Sequence, residues 1–219
     1  MYLGSLEIHL VSDGIVRADP GGLFGLVPRA LWEKIVQPDA GNLLPMALTC
    51  LLLRSRGKTI VVDTGLGEKL TDKEKEQWGL ERPQGPLREG LARLGCAPED
   101  VDLVLDTHLH WDHCGGNTLN TPEGLRAAFP RAEYVTQYIE YADASAPNER
   151  TRGTYHAGNF APLVQNGQMR LLAGDTRLTD EVCGVVTRGH TRGHMSVLLE
   201  SRGLAGLYVA DLASYAVHF

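Results

Sequence analysis

The chain predicts an α/β fold in which two sheets pack between helices. Apolar strand segments and amphipathic helical segments alternate through the early part, whereas the later part is mostly short strands. A histidine-rich run, Thr107-His108-Leu109-His110-Trp111-Asp112-His113-Cys114-Gly115-Gly116, directly follows a short apolar strand, and open α/β sheets place ligands at the carboxyl ends of strands. The length of 219 residues suits one domain covering residues 1–219.

The elements follow from local pattern and punctuation. Residues 6–16 read as a strand, with Asp13-Gly14 as a turn. Residues 28–37 read as a short helix begun by proline. Residues 47–53 and 59–62 read as a hairpin, and the basic stretch Arg54-Ser55-Arg56-Gly57-Lys58 between them as its solvated turn. Residues 68–78 predict a charged, exposed helix. Residues 86–94 predict an amphipathic one, with Leu87, Leu91 and Leu94 at helical spacing and Gly95 as a stop. After the turn Ala97-Pro98-Glu99-Asp100, residues 101–106 predict a buried strand. Residues 123–129 predict a helix and 133–135 a strand. Residues 138–168, rich in Tyr, Ala, Asn and Gly, predict one or two helices inserted over the site as a lid. Short strands are expected near Met169, Val185, Met195 and Leu207.

The histidine run carries the chemistry. Neutral imidazole is the commonest metal ligand, and carboxylate suits the harder side of a mixed site. Side chains alternate in an extended chain, so His108 and His110 point the same way. A helix beginning near Trp111 or Asp112 then brings Asp112 and His113 beside them. Gly115 and Gly116 let backbone pass close to a crowded site. Cys114 reads as a small packed residue.

Composition narrows the function. A formal net charge of -6 and the lack of a long basic run argue against nucleic-acid binding. No apolar run reaches membrane-spanning length and the N-terminus lacks a signal-peptide pattern. Cys50, Cys96, Cys114 and Cys183 are scattered with no CxxC pair, which predicts reduced thiols and a cytoplasmic location.

The run His108-x-His110-x-Asp112-His113 resembles the signature of the metallo-β-lactamase superfamily, mostly metal-dependent hydrolases. Three further pieces agree in order: Thr59-Ile60-Val61-Val62-Asp63-Thr64-Gly65, Gly189-His190-Thr191-Arg192-Gly193-His194 and Leu207-Tyr208-Val209-Ala210-Asp211. The resemblance implies the αββα sandwich of two mixed sheets and two divalent metal ions, zinc first, with iron or manganese as alternatives. It implies one metal on His108, His110 and His194, a second on Asp112 and His113, and Asp211 as the bridge. Asp63 is implied to orient the ligands from behind and His190 to be structural. Asp112 is implied to orient a metal-bridging hydroxide and return a proton to the leaving group. Tyr215, four residues past Asp211, is implied as a hydrogen-bond donor to the oxyanion, or else as packing. The family continues past the bridging aspartate with a further βα unit and a last histidine ligand. Here the sequence ends at Phe219, so the fold is expected without that unit, either as a fragment of a longer protein or with the second metal held more weakly, and with apolar surface open to a partner chain, including a homo-oligomer, or to a missing segment. His218 is expected along the pocket rather than as the last ligand. The implied substrate is a small molecule with an ester-type bond, first a lactone. A glyoxalase II-type thioester, or oxygenase chemistry on non-haem iron, are the alternatives.

Overall fold

The computed structural model describes residues 1–219. Strands β1 (Tyr2–Leu3), β2 (Leu6–Ala18), β3 (Leu44–Ser55) and β4 (Lys58–Val62) form an antiparallel run, with α1 (Pro20–Phe24) and α2 (Arg29–Trp32) between β2 and β3. The chain continues through α3 (Asp72–Gln77), α4 (Leu87–Arg93), β5 (Leu103–Leu105), α5 (Trp111–Cys114), the hairpin β6 (Thr118–Thr121) and β7 (Gly124–Ala127), and β8 (Glu133–Gln137). Next come α6 (Tyr138–Ser145), α7 (Ala161–Gln165), β9 (Met169–Leu172), β10 (Thr176–Arg177), β11 (Val182–Val186), β12 (Met195–Ser201) and β13 (Leu204–Tyr208). The first sheet has the order β1-β2-β3-β4-β5-β8-β9, and the pairs β4–β5, β5–β8 and β8–β9 are parallel. The second, β10-β11-β12-β13, is antiparallel throughout.

Period-two alternation divides the core. Leu51, Leu53, Ile60, Val62, Leu103 and Leu105 face the second sheet and pack with Val182, Met195, Val197 and Leu199. Cys50, Leu52, Val61 and Val104 face the other way, onto Leu87 and Leu91 of α4, Phe129, Tyr134 and Leu163. Strands buried on both faces read as continuous apolar runs, which is why these segments were legible. In the second sheet, Leu204 and Leu207 of β13 remain about half exposed.

Four expectations are corrected. Asp13-Gly14 is a bulge inside an unbroken β2, with the register shifting between Ser12 and Ile15. The buried Asp13 carboxylate accepts from Gly67 N (3.0 Å), Leu87 N (2.8 Å) and Arg82 Nη2 (2.9 Å), which fixes the bulge from outside the strand. Residues 124–127 are strand β7, not helix. Thr121 pairs with Gly124 around Pro122-Glu123, and the Thr121 hydroxyl bonds Glu123 N and Gly124 O, closing a two-residue hairpin. Helix α2 ends after one turn, before the β-branched pair Ile35-Val36 and Pro38. Helix α3 starts late, because Thr71 and Glu74 form a capping box.

The far end of the two sheets is tied by one buried carboxylate. Glu181 accepts from Ser5 Oγ (2.6 Å), Ser201 Oγ (2.6 Å) and Ser55 Oγ (2.9 Å), joining the β1–β2 and β3–β4 turns to the second sheet. Burial alone would push this carboxyl up, but the three hydroxyls and Arg56 hold it below its ordinary 4.5. Its contribution to stability is therefore complete above pH 4.5 and lost as pH falls through the lowered folded-state value. Glu181→Gln is expected to lower Tm at neutral pH, with the gap from wild type closing as acid protonates Glu181. Thermal melts over a pH series measure it.

Candidate metal centre

The loops at the carboxyl ends of β4, β5 and β13 and the loop before β12 converge on one cluster. Ring centroids of His108 lie 4.6 Å from His110, 4.1 Å from His113, 4.8 Å from His190 and 5.3 Å from His194. Donor atoms of His108, His113 and Asp211 fall within 4.8 Å of one another, as do those of His108, His110 and His190. The chain thus brings all six expected ligands into one region, and adds His190.

Close backbone approach makes this possible. A Cβ on Gly115 would lie 2.3 Å from Leu66 O, and one on Gly116 2.3 Å from Thr64 O. The turn after β4 therefore packs directly on the histidine run, as Thr64 N donates to His113 O at 2.6 Å. Lys69 Nζ holds the same stretch through the carbonyls of Gly115 and Thr118. Asp63 and Ala210 both adopt left-handed backbone (φ 54° and 48°), a conformation that strains non-glycine residues and collects at functional sites.

Asp63 organises the ligands from behind. Its carboxylate accepts from Thr107 N (2.8 Å) and Thr107 Oγ1 (2.9 Å) and lies 2.9 Å from His113 Nδ1. The Thr107 hydroxyl, having donated its proton, accepts from His108 Nδ1 at 3.1 Å. His194 Nδ1 faces the Thr187 carbonyl at 3.1 Å. Each acceptor fixes a proton on Nδ1, which leaves a lone pair on Nε2. The Nε2 atoms of His108 and His194 are buried and have no hydrogen-bond partner. His113 Nε2 lies 3.5 Å from Asp211 and 3.8 Å from Asp112, where a bare lone pair facing carboxylates is unfavourable. Imidazole lone pairs and carboxylates aimed at one place fit a divalent cation.

The electrostatics agree. Burial and the neighbouring histidines push His108 well down, His110 to about 3 and His194 to about 4, so all three are neutral donors at pH 7. Burial opposes charge on His113, yet Asp211, Asp63 and Asp112 outweigh it and raise its pKa well above the ordinary 6.5. Burial likewise opposes charge on Asp211, but His113, His190 and His194 hold it well below the carboxylate range. The Asp112–His113–Asp211 corner demands positive charge.

The structure also identifies residues that no motif marks. Glu140 of α6 is fully buried and accepts from Leu109 N (3.0 Å), Tyr155 Oη (3.1 Å) and Thr191 Oγ1 (2.5 Å). It ties the residue between His108 and His110 to the residue after His190, and to a tyrosine whose ring lies 5.0 Å from His110. Its only sequence signal is an acid on an otherwise plain helix. His190, read as structural, lies at the cluster, with Nε2 2.9 Å from His110 Nδ1 and 3.2 Å from Asp211 Oδ2. Cys114 is packed, fully buried, as expected. Tyr215 is not brought to the centre: its hydroxyl donates to Pro45 O at 2.7 Å and its ring packs near Phe24. His218 packs edge-on against Phe24, away from the cavity wall.

Two cavities flank the cluster. One, of about 210 Å³, is lined by Met46, Leu48, Val209, Asp112, His113 and Asp211. The other, of about 530 Å³, reaches His110 and His190 and is lined in part by residues 146–155, within the 138–168 segment. No helix is long and apolar enough to cross a membrane.

The model of the metallo-beta-lactamase superfamily matches residues 45–218. An N-acyl homoserine lactonase of Bacillus cereus is 28% identical over 193 residues, covering 80% of this chain and 67% of that protein. The N-acyl homoserine lactonase AttM of Rhizobium radiobacter is 27% identical over 183 residues, covering 76% and 64%. Among solved structures, a probable metal-dependent hydrolase from Staphylococcus aureus superposes with a TM-score of 0.89 at 27% identity, covering 97% of this chain and 75% of that one. AidC, a dizinc quorum-quenching lactonase in complex with a product, shares the fold with a TM-score of 0.76 at 21% identity, covering 97% and 73%.

Asp63→Ala is expected to weaken metal binding by about 10–100-fold, the usual cost of removing a ligand's outer partner; competition with a chromophoric chelator measures it. Glu140→Ala leaves Leu109 N and two hydroxyls without their acceptor, and is expected to cost about 1–3 kcal/mol in denaturant unfolding.

Proposed function

Because the chain belongs to the metallo-beta-lactamase superfamily, we propose that it is a metal-dependent hydrolase acting on lactones of the N-acyl homoserine class. The observation that carries this reading is the pair of buried, partnerless Nε2 atoms on His108 and His194 beside a carboxylate-rich corner. His108, His110 and His194 would hold one divalent ion, Asp112 and His113 a second, and Asp211 would be shared. Zinc suits the imidazole-rich set. When bound, such ions supply Lewis acidity and bring the pKa of water to about 7.

The chain's own residues do the rest. Asp63 and the Thr187 carbonyl hold the imidazoles in the tautomer that presents Nε2. Asp112, which lines the smaller cavity, would accept a proton at its carboxylate and pass it to the leaving alkoxide. Met46, Leu48 and Val209 line that cavity and exclude water from an apolar part of the substrate. Tyr215 is engaged with Pro45 and takes no part in this reading. The relatives' own activity, opening of homoserine lactones, supports the choice of bond.

The test is turnover of N-acyl homoserine lactones by zinc-loaded protein, with metal analysis of the same sample. Two ions per chain and lactone opening are expected, with loss on chelation and return on adding zinc. Hydrolysis of thioesters alone, or oxygen uptake with bound iron, would reassign the activity. His108→Ala is expected to reduce kcat/KM by more than the roughly 100-fold typical of an outer partner.

A further inference from the structure

We propose that the larger cavity is a binding site for an anionic group on the substrate, with Arg150 as the residue that selects it. This rests on the lactonase reading above and adds what the far end of the substrate is.

The cavity opens on His110 and His190, so a substrate reacting at the cluster reaches it without leaving the site. Beyond Ala146, Pro147 and the ring of Tyr155, its lining is glycine, polar or charged. An alkyl chain here would cover hydrogen-bonding groups without replacing their partners, an unfavourable exchange. The smaller cavity, with Met46, Leu48 and Val209, is the one that suits apolar groups.

Charge points the same way. Arg192 is engaged: its Nε lies 2.8 Å from Asp143 Oδ2 and its Nη2 bonds Asp143 Oδ1, so these two charges cancel. The Arg150 guanidinium is exposed and has neither a carboxylate nor a carbonyl partner, which leaves the lining with an excess positive charge. The turn presenting it is fixed, because Asn148 Oδ1 accepts from Arg150 N (2.9 Å) and Thr151 N (3.1 Å). That use of Oδ1 leaves the Asn148 amide NH2 as a second donor on the same lining. A planar, always-charged fork matches a carboxylate through two parallel hydrogen bonds.

Three homoserine lactones test this on zinc-loaded full-length protein: N-succinyl, whose acyl chain ends in a carboxylate; the same compound with a terminal carboxamide; and N-hexanoyl. The carboxylate compound is expected to exceed the carboxamide by about tenfold or more in kcat/KM, mostly through KM, and the advantage to shrink with added salt. In Arg150→Gln the carboxylate-to-carboxamide ratio is expected to fall toward one. A wild-type ratio near one, a preference for N-hexanoyl, or a ratio that survives Arg150→Gln would overturn the proposal. Failure of all three lactones to react would instead overturn the lactonase reading beneath it.

Discussion

The site depends on a single carboxylate that touches no substrate. Asp63 sits in strained left-handed backbone at the end of β4 and binds Thr107 twice and His113 once. Through Thr107 it also sets the proton on His108. Two imidazoles therefore present their Nε2 atoms inward before any cation arrives. A buried lone pair without a partner is costly, and the chain carries two of them, on His108 and His194. A cation at this place would give both a partner, and the carboxylates Asp211, Asp63 and Asp112 around it raise the pKa of His113.

The scaffold meets this demand by separating functions along the sheets. Parallel strands β4, β5 and β8 are buried on both faces and end together, so their loops share one rim. At the opposite end Glu181 clamps turns from both sheets through three hydroxyls. The carboxylate clamp thus sits at one end of the sheets and the histidine cluster at the other.

The sequence carried the parts whose chemistry is local. The His108-to-His113 spacing, the apolar runs on either side and the placement of Asp63 at a strand end all followed from residue types and periodicity. Gly115 and Gly116 were legible because only close backbone contact explains two adjacent glycines there, and Leu66 and Thr64 supply that contact. What escaped depends on distant partners. Asp13-Gly14 has a turn's composition, yet Arg82 and Leu87, far along the chain, hold it as a bulge. Residues 124–127 looked helical because their strand partner, β6, is short and polar. Tyr215 sits four residues past Asp211 in sequence, yet its hydroxyl bonds Pro45 O, 170 residues away. Glu140 gave only the faint sign of an acid on a short helix, since its meaning lies in three acceptor contacts with three separate segments.

Glu140 has a consequence for motion. One carboxyl group, shut away from water, joins α6 to Tyr155 and to both histidine-bearing loops, so separating any of them breaks a buried hydrogen bond. A hinge at Tyr155 or at α6 would leave buried donors without their acceptor. Residues 146–153, the span that carries Arg150, make none of these contacts. The arginine-bearing turn and the histidine-bearing loops thus have separate anchors, Asn148 for the one and Glu140 for the others.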